Sequence, residues 1–278
     1  MSEQGPQHFQ AEVSQVLRLV IHSLYSNREV FLRELVSNAS DALDRLRFRL
    51  LQEPQLVAGE PDLSISLQVD KPARTITVSD NGVGMSEQEL ARNLGTIAWS
   101  GSREFVEKLG TASSESERLR LIGQFGVGFY SAFLVADRVE VISRAAGSEA
   151  AHSWVSTGES GFTVSTAERA EQGTSVRLHL KEDCSEYLEL WRLESLVSRY
   201  SDFVGHQIYL EELEEGKSKG EPKRINQSSA LWLRNPKELS EDQYHELYRH
   251  LSHDWHAPLS HRHFRIEGTQ MFSGILFL

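Results

Sequence analysis

One cysteine, Cys184, stands among 278 residues, which excludes an intramolecular disulfide and a cysteine-built zinc cluster. A chain so poor in thiols is expected in the reducing cytosol. It also lacks an uninterrupted apolar run of about 18 residues, the least that a membrane-spanning helix needs. The opening "MSEQGPQHFQ" has neither the cationic start nor the apolar core of a signal peptide. The expectation is therefore a cytoplasmic protein with no membrane partner. Positive charge is scarce as well: 40 acidic residues outnumber 29 basic ones, for a net charge of −11. A sequence-independent grip on nucleic acid needs a cationic surface, so no nucleic-acid partner is expected.

What remains is the balance of an ordinary globular chain, long enough for one large domain and part of another. Residues 11–25 place Val13, Val16, Leu17, Val20, Ile21 and Leu24 on one helical face. Asn27 is a candidate cap for a second helix reaching about Leu51, beyond which Pro54, Gly59 and Pro61 break the pattern. "LSISLQVD" and "RTITVSD" alternate as half-buried strands do, and "SEQELARNLGTIA" returns to helical spacing. Strands are expected at 137–145, 150–157, 162–167 and 173–181, with a helix at about 186–203. Helices followed by strands with hairpin-length connections imply an α+β fold, with helices on one face of a sheet. The polar stretch 211–224 reads as a linker, and 225–278 as the start of a second domain in which the chain stops.

Three clusters carry the chemistry. In "RELVSNASDALDRLR" (33–47), Glu34, Asn38 and Asp41 fall at i, i+4 and i+7, on one helical face. The plain alternative is a solvated stripe. The small residues Ser37, Ala39 and Ser40 beside it would let a ligand approach, and an amide four residues from a carboxylate, with Cβ atoms about 5–6 Å apart, suits a metal ion beside an activated water. The second cluster is "TITVSDNGVGM" (75–85), in which Asn81-Gly82 is also a strong hairpin signal. A hairpin leaves Gly84 unexplained, and leaves unexplained the acid at the strand end, Asp80, which is suited to accept from an amino group such as that of adenine. The third is "IGQFGVGFYSAF" (122–133), where glycines precede an apolar helical run and offer backbone N–H groups to phosphate. Its spacing is neither that of a P-loop nor that of a dinucleotide fingerprint.

Taken together, "ELVSNASDAL", "DNGVGM" and "GQFGVGFYSAFLVADRV" resemble the motifs of the GHKL ATPases, the group of gyrase, heat-shock chaperones, sensor kinases and mismatch-repair proteins. "NLGTIAWSGSREF" (93–105), "LHLKED" and the stretch from Gln10 to Leu43 resemble the heat-shock protein 90 chaperones more narrowly, and the likeness runs over essentially all of 8–278. The resemblance implies a two-layer α/β sandwich of Bergerat type, its mixed, mostly antiparallel sheet covered by helices. The implied domains are an ATP-binding domain over 1–212, a linker over 213–224 and the beginning of a middle domain over 225–278. It implies ATP or ADP with Mg2+ as cofactors, client proteins as partners, and a homodimer in the full-length protein with this chain monomeric.

By position, Glu34 resembles the general base and Asn38 the magnesium ligand. Asp80 resembles the adenine reader, with Thr174 as its helper and Gly84 and Met85 at the pocket rim. Asn93 resembles a lid-hinge residue near the sugar and phosphates, and Gly123, Gln124, Phe125, Gly126, Val127, Gly128 and Phe129 the phosphate loop. Arg33 is read as steadying the lid or a phosphate. The family's catalytic arginine belongs to a part beyond residue 278, so slow hydrolysis is expected of this chain. The short linker favours a bacterial-type or organellar branch.

Other readings make different demands. A sensor kinase needs a phospho-accepting histidine, and His22 is a poor candidate. A topoisomerase or mismatch-repair ATPase should engage DNA, against the charge of the chain. A partner-binding module with a degenerate pocket is opposed by intact Glu34, Asn38 and Asp80. The histidines crowded over 245–263 are expected at surfaces rather than on a metal, and Trp99, Trp154, Trp191, Trp232 and Trp255 are expected as packing residues.

Overall fold

The computed structural model describes residues 7–8, 27–57, 59, 61–95, 128–159, 161–228, 230–252, 254, 256–266 and 272–278. The helix expected over 11–25 with His22, the lid segment beyond residue 95 with Trp99, Gly123–Val127, His253 and Trp255 lie outside them. The described residues form two compact units, 1–202 with 206–226, and 203–205 with 227–278.

The first unit is built on one mixed sheet. Its strands are β1 (Gln7–His8), β2 (Ser64–Asp70), β3 (Thr75–Asp80), β4 (Ala136–Arg144), β5 (Ala151–Ser156), β6 (Gly161–Ala167), β7 (Gly173–Leu180), β8 (Gln207–Glu214), β9 (Lys217–Ser218) and β10 (Lys223–Arg224). They run in the order β1-β6-β5-β4-β7-β3-β2-β8-β10, with β9 also paired to β8. Every pairing is antiparallel except that of β2 with β8. Ile65, Leu67 and Val69 of β2 are fully buried while the residues between them are half-exposed, so the period-2 pattern marks the covered face.

Helix α1 (Val30–Gln52) covers that face. Phe31, Leu32, Leu35, Val36, Ala39, Leu43 and Leu46 are buried on it, at the three- and four-residue spacing that defines one side of a helix. Asn27 does not cap it. The helix starts after Glu29, and Asn27 closes the turn before it, accepting from the Glu29 backbone N–H at 3.0 Å and donating to the Glu29 carboxylate at 3.1 Å. Arg192 donates to the other Glu29 oxygen at 2.6 Å, from helix α3 (Leu190–Tyr200). Helix α2 (Glu87–Gly95) packs on β5 and β6.

Two expectations change here. The apolar run after the glycine-rich stretch is a 3₁₀ helix, Gly128–Leu134, whose residues are all buried. The polar segment expected to be a linker carries the end of β8 together with β9 and β10. An exposed sheet edge needs no apolar residues, and Lys and Glu on it discourage pairing with other chains, which is why composition misleads at this point.

In the second unit, helix α4 (Glu241–Ser252) accompanies the hairpin of β11 (His261–Ile266) and β12 (Phe272–Phe277). Two of its histidines serve packing: His261 stacks on Tyr244 with ring centroids 4.0 Å apart, and His263 bridges the Tyr244 hydroxyl at 2.9 Å and the Trp232 carbonyl at 3.1 Å. Among the described residues no helix is long and apolar enough to cross a membrane.

Candidate nucleotide-binding site

Alternate residues of three neighbouring strands turn the same way, and at one end of the sheet this aligns three polar side chains. Asp80 of β3 lies opposite Thr174 of β7, which lies opposite Ser143 of β4. All three are buried. The Ser143 and Thr174 hydroxyls are 2.9 Å apart, and Ser143 donates to the Gly173 carbonyl at 3.1 Å. The same Ser143 oxygen accepts from the Met85 backbone N–H at 2.8 Å, so one hydroxyl ties the sheet to the turn leaving β3. Nothing in the sequence marks Ser143, because serines are frequent in strands and its partners come from two distant segments.

Asp80 is the carboxylate of this group, and it is buried. Burial pushes its pKa up to about 6. The Gly82 N–H, the charge of Arg169 and the Thr174 backbone pull in the opposite direction. Gly82 donates to Oδ1 at 2.9 Å, which leaves the rest of the carboxylate available to an incoming donor.

The Asn81-Gly82 pair is not a hairpin turn. Asn81 fastens the start of β2, accepting from the Ser64 N–H at 3.0 Å and donating to the Asp62 carbonyl at 2.8 Å, and the chain then runs into α2. The turn docks on α1 through Val83 N–H to the Ala42 carbonyl at 3.1 Å, and on the turn after β4 through Ala146 N–H to the Val83 carbonyl at 2.8 Å. Gly84, at φ +63°, completes it. A Cβ there would lie 1.9 Å from the Arg144 carbonyl oxygen, so backbone packs directly on backbone. Gly84→Ala is expected to lower stability by about 1–3 kcal/mol or more and to weaken ligand binding with it, checked by urea unfolding. An unchanged midpoint would show that the turn is free to move.

Between α1, the end of the sheet, this turn and α2 lies a cavity of about 890 Å³, at the upper end of the usual size for a small-molecule site. Asn38, Asp41 and Ala42 form one wall, Asp80 and Thr174 the floor, and Gly84, Met85 and Asn93 the rim, with Phe129 also on the lining. Of the expected site residues that are described, nine come together here; seven line the cavity directly besides Glu34 and Gly128, which lie next to it. The wall also continues along α1 to Asp44, Arg45, Phe48 and Arg49, a stretch that the sequence reading did not include.

Glu34 is placed differently from Asn38. It is buried, and its carboxylate does not line the cavity among the described residues. Arg33 donates to its Oε1 through Nε at 3.0 Å and through Nη2, while Oε2 lies so close to Gly128 that a Cβ there would be 2.4 Å away. Among the described residues Arg33 thus holds the carboxylate; the lid that it was expected to steady lies outside them. Phe129, the next residue, packs edge-on against the fully buried Trp154, which anchors the 3₁₀ helix to β5.

Residues 25–160 match the family model of histidine kinase-, DNA gyrase B- and HSP90-like ATPases, and residues 211–278 match that of the Hsp90 protein. The chaperone protein HtpG of Myxococcus xanthus (strain DK1622) is 54% identical over 287 residues, covering 99% of this chain and 44% of its own length. The chaperone protein HtpG of Escherichia coli O1:K1 / APEC is 47% identical over 282 residues, covering 100% of this chain and 45% of its own. The chain belongs to the Hsp90 family. It spans less than half the length of these Hsp90-family relatives. The α+β sandwich with its mostly antiparallel sheet agrees with the ATPase model matched by the first unit.

Proposed function

We propose that the cavity binds ATP and ADP, and that this Hsp90-family chain is the nucleotide-controlled part of a molecular chaperone. The observation that carries the reading is Asp80. It is a buried carboxylate on the floor of a large cavity, held by Gly82 and backed by hydroxyls, with acceptor capacity to spare. Such a group reads an exocyclic amine and rejects a carbonyl at the same place, which separates adenine from guanine. Val78, Val141 and Val176 beside it supply flat apolar contact for a base.

The reading for the phosphates rests on Asn38, Gly128 and the expected loop at Gly123–Val127. Magnesium fits this donor set in a particular way. Among the described residues no group of three His, Cys, Asp or Glu side chains is arranged around a point, but the Asn38 amide and the Asp41 carboxylate share the cavity wall. Hard oxygen donors in that number suit an ion that keeps most of its shell from water and phosphate. Bound there, magnesium would neutralise phosphate charge. Glu34 would take the proton from the attacking water once its carboxylate is released from Arg33. Turnover, client proteins, a homodimer of the full-length protein and a cytoplasmic setting belong to the same proposal and rest on the resemblance of the sequence motifs; the relatives' names add that they are chaperones. In this reading the first unit is the ATP-binding domain, and the second is the beginning of a middle domain.

Calorimetric titration with Mg·ADP and with Mg·GDP tests the reading. One site selective for the adenine nucleotide is expected. No binding of either would overturn it and leave a partner-binding module with a degenerate pocket.

A further inference from the structure

The carbonyl groups where β3 leaves the sheet are satisfied by side chains from the β6–β7 loop. Gln172 donates to the Asn81 carbonyl at 3.3 Å. Arg169 donates to the Asp80 carbonyl at 2.9 Å through Nη2 and to the Ser175 hydroxyl through Nη1. The loop itself is held in place, because the Arg144 guanidinium donates to the Arg169 carbonyl at 3.2 Å and to the Ser148 carbonyl at 2.6 Å. Arg144 is also the residue whose carbonyl lies under Gly84, so loop, turn and strand end form one packed block.

At the adjacent carbonyl, that of Asn81, neutral Gln172 serves as the cap, so capping alone does not call for an arginine. A guanidinium brings a fixed positive charge into a half-buried place, where its Nε has no hydrogen-bond partner among the described residues. That is an expensive way to hold a backbone, unless the charge itself has work to do.

We propose that Arg169 is a positioning residue for the adenine-reading carboxylate, clipping the backbone of Asp80 and placing a positive charge beside its side chain without touching the ligand. The inference rests on the adenine reading of the cavity. Burial alone would push Asp80 toward its neutral form near physiological pH, and a neutral carboxyl has lost part of its capacity to accept. Of the groups facing Asp80, the Gly82 and Thr174 backbone N–H groups are fixed dipoles, and Arg169 is the charged group whose field acts on it. Asp41, Asp44 and Arg45 lie on the α1 wall of the cavity, and Glu171 sits beside Arg169 on the loop.

The test follows the titration of the Asp80 side chain by carboxyl-carbon NMR in the ligand-free chain, together with the pH profile of Mg·ADP affinity. Wild type, Arg169→Gln and Arg169→Lys are compared. In wild type, affinity should fall as the pH drops through about 6, where Asp80 takes up its proton. In Arg169→Gln both midpoints should move up by about one pH unit, and Arg169→Lys should restore most of the difference. An NMR midpoint unchanged in Arg169→Gln, or an affinity loss equal at every pH, would overturn the inference and leave Arg169 a structural clip. If the NMR midpoint moves while wild type binds no adenine nucleotide, the electrostatic link stands and the adenine reading falls, taking the ligand part of the proposal with it.

Discussion

Glu34→Gln is expected to lower ATP turnover by about 10²–10⁴ and to leave Mg·ADP affinity nearly unchanged. The size is the usual contribution of a positioned general base, and glutamine keeps the shape of the side chain while losing its ability to take a proton. Affinity should survive because the Glu34 carboxylate does not line the cavity among the described residues, whereas Asn38, one helical turn on, does. Single-turnover hydrolysis and calorimetry separate the two effects. If affinity or folding collapses instead, Glu34 serves mainly as the partner of Arg33 and the neighbour of Gly128. The result would then make the ion pair structural.

Asp80→Asn is expected to reverse the pattern, lowering adenine-nucleotide affinity by about 10–100-fold, because an amide turned toward an amino group leaves a buried donor unmatched. It should also stabilise the ligand-free chain. The folded-state pKa of Asp80 is raised to about 6 from an ordinary 3.8, so between roughly pH 4 and 6 the native state binds more protons than the unfolded one. Stability from this group therefore falls as pH rises through that window, and above it the ionised carboxylate costs on the order of 1–3 kcal/mol. Urea unfolding at pH 4.5 and 7.5 should show that part of the loss in wild type and not in Asp80→Asn. A variant that is less stable at pH 7.5 would mean that Gly82 and Arg169 compensate for burial completely.

Local pattern made much of this legible. Helix α1 and strands β2 to β7 follow from apolar spacing within a few residues, because their buried faces repeat at helical or strand period. Asp80 and Gly84 were legible because a strand, an acid and two glycines stand in one short run. Asn38 and Asp41 reach the cavity wall as their helical phase requires, while Glu34 on the same stripe is turned into packing by Arg33 and Gly128. That difference depends on a segment nearly a hundred residues away, which no local pattern encodes. Ser143 and Arg169 escaped for the same reason: a strand serine and a loop arginine look ordinary until three chain segments meet around them.

The β2–β8 pairing has a consequence for dissecting the protein. Strand β8 runs parallel to β2 and is secured from beyond its own end, by Asn226 accepting from the Ile208 N–H at 2.9 Å and donating to the His206 carbonyl at 2.9 Å. A piece excised at residue 212, the domain end that the resemblance implies, loses that fastening and exposes one side of an open edge strand. Such an edge recruits other chains, and self-association of the truncated piece could then be mistaken for native dimerisation. Cutting after Asn226 keeps the strand and its lock within one molecule.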